Sequence, residues 1–216
     1  MCNNCVQEWL LAIEANRFIY EIKKGESIFK EGDKVEGIYF VYAGNVKVHK
    51  KWGSKELILR FATEGTILGH RGISSHNNTY PISATALENS TVAFISLDFF
   101  NTTIKINPDF TYRLMLFFAD ELQESELKMR DIAHISVKAR LANALLFFEK
   151  KFGTDENDVL RIELSKQDFA AFIGTTYETV SRMLSELTAE KAVQVSKRKI
   201  KILSLEKLEA LAKNED

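Results

Sequence analysis

Proline and cysteine are both scarce in this sequence, two of each among 216 residues, and no apolar run approaches the length of a bilayer span. So little proline excludes a polyproline or collagen-like chain and leaves room for uninterrupted helices and strands. Both cysteines, Cys2 and Cys5, stand in a lone CxxC, so one chain cannot supply four thiolates to a metal or an iron–sulfur cluster. Incidental thiols are the simplest reading; a redox pair or a metal site shared between chains are the others. The four histidines, His49, His70, His76 and His134, show no HxxxH spacing. No HxH with a following carboxylate and histidine is present either, which sets aside a metal enzyme of the cupin kind. No catalytic constellation stands out, and no metal ligand set.

Excess charge of one sign is also missing. A formal net charge of -1 excludes a protein that holds nucleic acid through bulk positive charge, and leaves only a local basic patch for that purpose. The opening MCNNCVQEWL has neither the basic start nor the apolar core of a signal peptide, so a cytoplasmic location is expected. What the chain does have is a hydrophobic content of 45%, enough for a folded protein of two domains or one large one.

From about Arg17 to Leu97, short apolar runs such as IYFVYAG, VKVHK, ELILRFA and TVAFISL are separated by glycine-bearing turns, which predicts a barrel or jelly roll. GHRGISSHNNTYPISA, Gly69 to Ala84, breaks that pattern and reads as a loop or short helix lining something. After Asn107-Pro108, apolar residues from Phe110 to Ile135 recur near every three and four positions, predicting one helix of some 25 residues. A helix that long with an apolar seam is covered most simply by its own copy in a second chain, so a homodimer is expected. A second helix is predicted from Val137 to Phe152, with Phe147, Phe148 and Phe152 on its buried face. Residues 153–160 form a polar connection, and Arg161 to Leu164 looks like a strand.

The most specific stretch runs from Ser165 to Leu187, SKQDFAAFIGTTYETVSRMLSEL, whose spacing describes a helix-turn-helix. Ser165 can cap the first helix with Asp168, and Thr175 the second with Glu178 closing a capping box. Gly174 supplies the positive φ of the turn, Ala170 the room where the helices cross, and Val180 with Met183 or Leu184 the inner face. Tyr177, Glu178, Ser181 and Arg182 are left outward, side chains able to reach base edges in a major groove. Beyond them, AVQVSKRKIKIL suggests two short strands turning at Ser196 to Lys199. With Lys191, Lys197, Arg198, Lys199 and Lys201 this hairpin is the basic patch, suited to double-stranded DNA.

In order and spacing, KKGESIFKEGDKVEGIYFVYAGNVKV, GTILGHRGI, ISATALENSTVAFIS and ETVSR resemble the Crp/Fnr family of transcription regulators over essentially the whole chain. The resemblance implies an α+β chain: an N-terminal helix and cyclic-nucleotide-binding-like barrel over residues 1–107, a dimerisation helix over 108–136, and a winged helix-turn-helix over 137–216. It implies base contacts by Glu178, Ser181 and Arg182, with Tyr177 on the same exposed face as a further candidate, on a palindrome with TGA-like half-sites. Phosphate contacts fall to Lys166, Thr175, Thr176, Lys197, Arg198 and Lys199, and RNA polymerase is an expected partner.

The effector pocket is implied at Gly69, His70, Arg71, Tyr80, Pro81, Ser125 and Glu126. Here the pattern departs from the family: His70 and Tyr80 stand where cyclic AMP binders place a glutamate and an arginine, and Pro81 where a serine would help. A phosphate would lack its cation, since Arg71, next to His70, is expected to point elsewhere. Cyclic AMP is therefore set aside. Another small ligand, no ligand at all, and haem or another metal through His70 remain as readings. A rival is a nucleotide-sensing module acting on a protein partner, against which the helix-turn-helix with its basic wing argues.

Overall fold

The computed structural model describes residues 5–74 and 76–213, so Cys2 lies outside the described residues. The chain divides into two compact units, Met1–Glu124 and Ser125–Asp216. In the first, a 3₁₀ turn at Gln7–Trp9 leads into α1 (Leu10–Asn16). Eight strands follow: β1 (Arg17–Ile22), β2 (Ser27–Phe29), β3 (Gly37–Ala43), β4 (Val46–Trp52), β5 (Lys55–Ala62), β6 (Ile67–Leu68), β7 (Ser83–Ala86) and β8 (Ser90–Ser96). They form two antiparallel sheets, ordered β1-β8-β3-β6 and β2-β7-β4-β5.

Strand alternation decides which side chains enter the core. Val41, Val46, Val48, Ala62, Leu68 and Ala84, drawn from both sheets, join Phe29 in one buried cluster between them. On β3 the opposite parity, Ile38 and Phe40, turns to a second cluster with Ile95 of β8. The helices close over that face: Ile13 of α1, Phe100 of α2 (Leu97–Ile106) and Phe110 of α3 (Pro108–His134) complete it. The GHRGISSHNNTYPISA stretch contains a 3₁₀ turn, His70–Gly72, entered through Gly69 at φ +83°.

On α3 only Phe110 and Glu121 are buried among the described residues. Tyr112, Met115, Leu116, Phe118, Leu122, Leu127, Met129 and Ile132 are exposed despite their apolar character. The end of α3 belongs to the second unit, where the Lys128 ammonium sits 4.0 Å from the centre of the Phe172 ring and burial pushes its pKa down to about 8.

The second unit continues with α4 (Val137–Phe152), α5 (Lys166–Ile173), α6 (Tyr177–Ala189), the hairpin β9 (Val193–Ser196) and β10 (Lys199–Ile202), and α7 (Leu205–Ala212). Leu141, Leu145, Phe148, Phe169, Ala170, Val180, Leu184, Leu187 and Leu208 are all buried, so α4 to α7 share one core. Two expectations need correction. Phe147 is exposed, because it lies one step round the helix from buried Phe148, and it stacks on Phe172 at 5.5 Å. Arg161–Leu164 is not a strand: the ladder contacts of this segment are made one and two residues earlier, Val159 with Lys201 and Leu160 with Thr154. Ile162 and Leu164 instead bury their side chains.

Candidate functional site

The helix-turn-helix is set by local bonds. Ser165 Oγ accepts from the Asp168 N–H at 3.1 Å while Asp168 Oδ2 accepts from the Ser165 N–H at 3.1 Å, a closed capping box at the start of α5. Gly174 at φ +70° ends α5 in the left-handed region, and the Thr175 N–H returns to the Ala170 carbonyl. That return bond uses Thr175 in the turn. The expected cap on α6 is therefore corrected by one residue: Thr176 is the N-cap, its hydroxyl accepting from the Thr179 N–H at 3.3 Å. Glu178 closes no box on Thr175. From α4, the Arg140 guanidinium donates to the Ile173 and Gly174 carbonyls and so ties down the end of α5.

Tyr177, Glu178 and Arg182 are exposed on α6 and Ser181 is half-buried. Spacings of one, four and five residues place the four on one side of the helix. The Glu178 carboxyl is held below the usual range by its own backbone N–H and by the Thr176 hydroxyl, so at neutral pH it presents only acceptors. Lys166, half-buried on α5, donates to Ser181 Oγ at 2.8 Å and lies 6.0 Å from the Tyr177 ring centre. Thr175 is half-buried and Thr176 exposed. In the hairpin, Lys197 and Arg198 form a two-residue turn, with Lys197 at φ +56°; they and Lys199 are exposed, as is Lys191, whereas Lys201 is half-buried.

In the first unit Gly69, His70, Arg71, Tyr80 and Pro81 separate into two groups. Tyr80 is buried, stacks on Phe29 at 4.1 Å and donates its hydroxyl to the Gly37 carbonyl at 2.7 Å; burial raises its pKa. Gly69 packs against it, since a Cβ there would meet the Tyr80 ring at 3.0 Å. Pro81 offers its carbonyl to Lys50. His70 and Arg71 face a different partner, the carboxylate of Glu121. His70 Nε2 lies 2.8 Å and Arg71 Nε 3.1 Å from Glu121 Oε2, and Arg60 Nε of β5 is 2.6 Å from Oε1. Arg71 was expected to point away from His70; in the tight 3₁₀ turn both side chains instead reach the same group. Ser125, half-buried, and Glu126, exposed, belong to the second unit.

His70 is 1% exposed, with its ring edge-on to Phe117 and Phe118, and its pKa is lowered first by burial. It is therefore the neutral imidazole, donating from Nε2 to Glu121. Burial alone would raise the Glu121 pKa; the His70 hydrogen bond and the Arg60 and Arg71 charges outweigh it and hold the carboxyl at about 2. With Glu121 in place, both guanidiniums are engaged and neither is free for a cyclic nucleotide phosphate. Haem does not fit either: His70 Nε2 is spent on Glu121 and the ring is enclosed.

Glu121 and Arg60 escaped the sequence reading. The signal was present, since Glu121 falls one helical turn after Phe117 and Phe118, a carboxylate breaking an apolar face.

Comparison with known proteins matches residues 139–211 to a Crp-like helix-turn-helix domain and residues 20–107 to a cyclic nucleotide-binding domain. The chain is 28% identical over 188 residues to the cAMP-activated global transcriptional regulator CRP of Escherichia coli O157:H7, covering 86% of this chain and 88% of the relative. It is 25% identical over 178 residues to the anaerobic regulatory protein of Bacillus subtilis (strain 168), covering 81% and 75%. Among solved structures, FixK2 from Bradyrhizobium japonicum superposes with a TM-score of 0.80 at 22% identity, covering 93% of this chain and 99% of that one. A CooA mutant from Carboxydothermus hydrogenoformans gives 0.77 at 19% identity, covering 98% and 93%.

Proposed function

We propose that this chain, which belongs to the Crp/Fnr family and is a DNA-binding transcription regulator of that type, works as a homodimer on a palindromic site with TGA-like half-sites. The observation that carries the reading is α6, where Glu178, Ser181 and Arg182 share one side of the helix in a unit that also carries an exposed basic turn. Arg182 can donate two bonds to guanine O6 and N7, Glu178 can accept from cytosine N4, and Ser181 with Tyr177 can meet neighbouring base edges. Lys166, Thr175, Thr176, Lys197, Arg198 and Lys199 supply phosphate contacts, which hold the register without reading sequence.

The exposed apolar residues of α3 support the dimer. Met115, Phe118, Leu122, Met129 and Ile132 follow steps of three, four and seven residues, the seam a second copy would cover. Two recognition helices related by a two-fold axis then read two half-sites about one DNA turn apart.

A small effector other than cyclic AMP controls the dimer, acting through the first unit, and the regulator works at promoters with RNA polymerase. Its action is binding, not catalysis. The CRP relatives are named as cAMP-activated; in this chain Glu121 claims the cations and Tyr80 is spent on Gly37.

Replacing Glu178 by Ala and measuring affinity across single-base variants of the site tests the base contacts. The expected result is loss of discrimination at one base pair of each half-site; an equal loss on every sequence would mean that Glu178 does not read bases.

A further inference from the structure

We propose that Arg60, His70 and Arg71 form a carboxylate-binding site in the barrel unit, and that the chain fills it with its own Glu121, an internal ligand presented by α3. The inference rests on how the site is built. A glutamate side chain only 8% exposed is costly to bury, and this one is met by three side chains from two separate places, β5 and the 3₁₀ turn. Arg60 is itself braced, its Nη2 donating to the Ile67 carbonyl at 2.8 Å, so the donors are positioned by the barrel.

The three side chains divide over two oxygens: Arg60 faces Oε1 as an ion pair, while His70 and Arg71 hydrogen-bond to Oε2. Two oxygens are what a carboxylate presents, and each of the two meets a guanidinium here. With His70 uncharged, two guanidiniums face one buried carboxylate, and the second negative charge acting on Arg60 comes from the exposed Glu124. His70 Nδ1, Arg60 Nε and Glu121 Oε1 are buried with no hydrogen-bond partner, so the site is not fully satisfied by what the chain supplies. Arg71, about a quarter exposed, is its side nearest to solvent.

A tethered carboxylate acts at high effective concentration, so it holds α3 on the barrel until a diffusible carboxylate competes. This last step rests on the reading of the first unit as the effector unit; the binding site itself does not.

The test is chemical rescue in the full chain. Glu121→Ala removes the internal ligand and leaves the cations. Thermal unfolding is then followed in sodium acetate or formate, with chloride and phosphate at matched ionic strength. The expected result is a saturable rise in Tm of about 5 °C or more in acetate or formate over chloride for Glu121→Ala, and none for the unsubstituted chain. Adding Arg71→Met should move the acetate midpoint upward at least about tenfold, the scale of one lost charged hydrogen bond.

Equal Tm in acetate and chloride would overturn the proposal, as would rescue by phosphate alone. Should Glu121→Ala fail to fold in chloride, refolding yield replaces Tm: a higher yield in acetate than in chloride supports the site, and an equal yield overturns it. No DNA enters the experiment, so its failure would leave the reading of α6 standing.

Discussion

Replacing Gly174 by Ala should destabilise the second unit by about 1–2 kcal/mol. Gly174 sits at φ +70°, where an L-residue costs about 1–2 kcal/mol. Alanine returns about 0.4–1 kcal/mol by narrowing the unfolded ensemble. The added Cβ would meet Ile132 Cδ1 at 3.2 Å and Cγ1 at 3.3 Å, and Arg140 Nη1 at 3.4 Å. Ile132 must therefore yield by a few tenths of an ångström, and the Arg140 contacts that hold the end of α5 are disturbed, which consumes most of the entropic gain. For a unit of this size the change corresponds to a fall in Tm of roughly 5–15 °C. Far-UV circular dichroism on heating measures it, with Gly174→Asn as the control. Asparagine tolerates the left-handed region but carries the same Cβ, so it should lose clearly less than alanine. A fall under about 2 °C for Gly174→Ala would refute the reasoning, and equal losses for both variants would assign the effect to the Ile132 contact and not to φ.

The caps give a second expectation: Ser165→Ala and Thr176→Ala should each cost about 1 kcal/mol in urea unfolding, whereas Thr175→Ala should cost clearly less, and the reverse order for the two threonines would move the cap back to Thr175. Acid stability gives a third. Glu121 has its folded pKa lowered to about 2 from 4.5, so its contribution is complete above about 4.5 and is lost as the pH falls toward 2. That contribution is at most about 3 kcal/mol. Urea unfolding at pH 7 and pH 3 should show the gap between the unsubstituted chain and Glu121→Gln shrinking with acid; a constant gap would mean that Glu121 titrates normally when folded. Glu56, also held at about 2, is common to both proteins and cancels. In the wing, Lys197→Ala and Arg198→Ala should weaken DNA binding about equally on all sequences and lower the salt slope by about one each, read by fluorescence anisotropy at several salt concentrations. Sequence-dependent losses would mean that the wing reads bases.

The helices and the barrel strands were legible because their signals are local. The α4 bounds follow from apolar spacing, and the helix-turn-helix from a capping box and a turn glycine three to nine residues apart. Where two neighbouring residues could serve equally, local chemistry could not choose. Thr175 and Thr176 are equivalent caps in sequence, and the bond that the Thr176 hydroxyl accepts from the Thr179 N–H decides between them. Arg161–Leu164 has the alternation of a strand, yet whether a segment pairs depends on the partner edge that reaches it. The barrel cluster was the least legible part. Glu121 meets His70 across 51 residues of chain, and no periodicity encodes which buried carboxylate meets which cation. The break in the α3 apolar face marked Glu121 as unusual; the fold alone names Arg60, His70 and Arg71 as its partners.

The central claim is that two copies of α6 read a palindrome through Glu178, Ser181 and Arg182. Selection of bound sequences from a random duplex library by the purified full chain tests it most directly. The expected result is an inverted repeat with TGA-like half-sites whose centres lie about one helical turn apart, with the guanine position relaxed in Arg182→Ala. Enrichment of a single unrepeated half-site, or of no sequence above background, would contradict it.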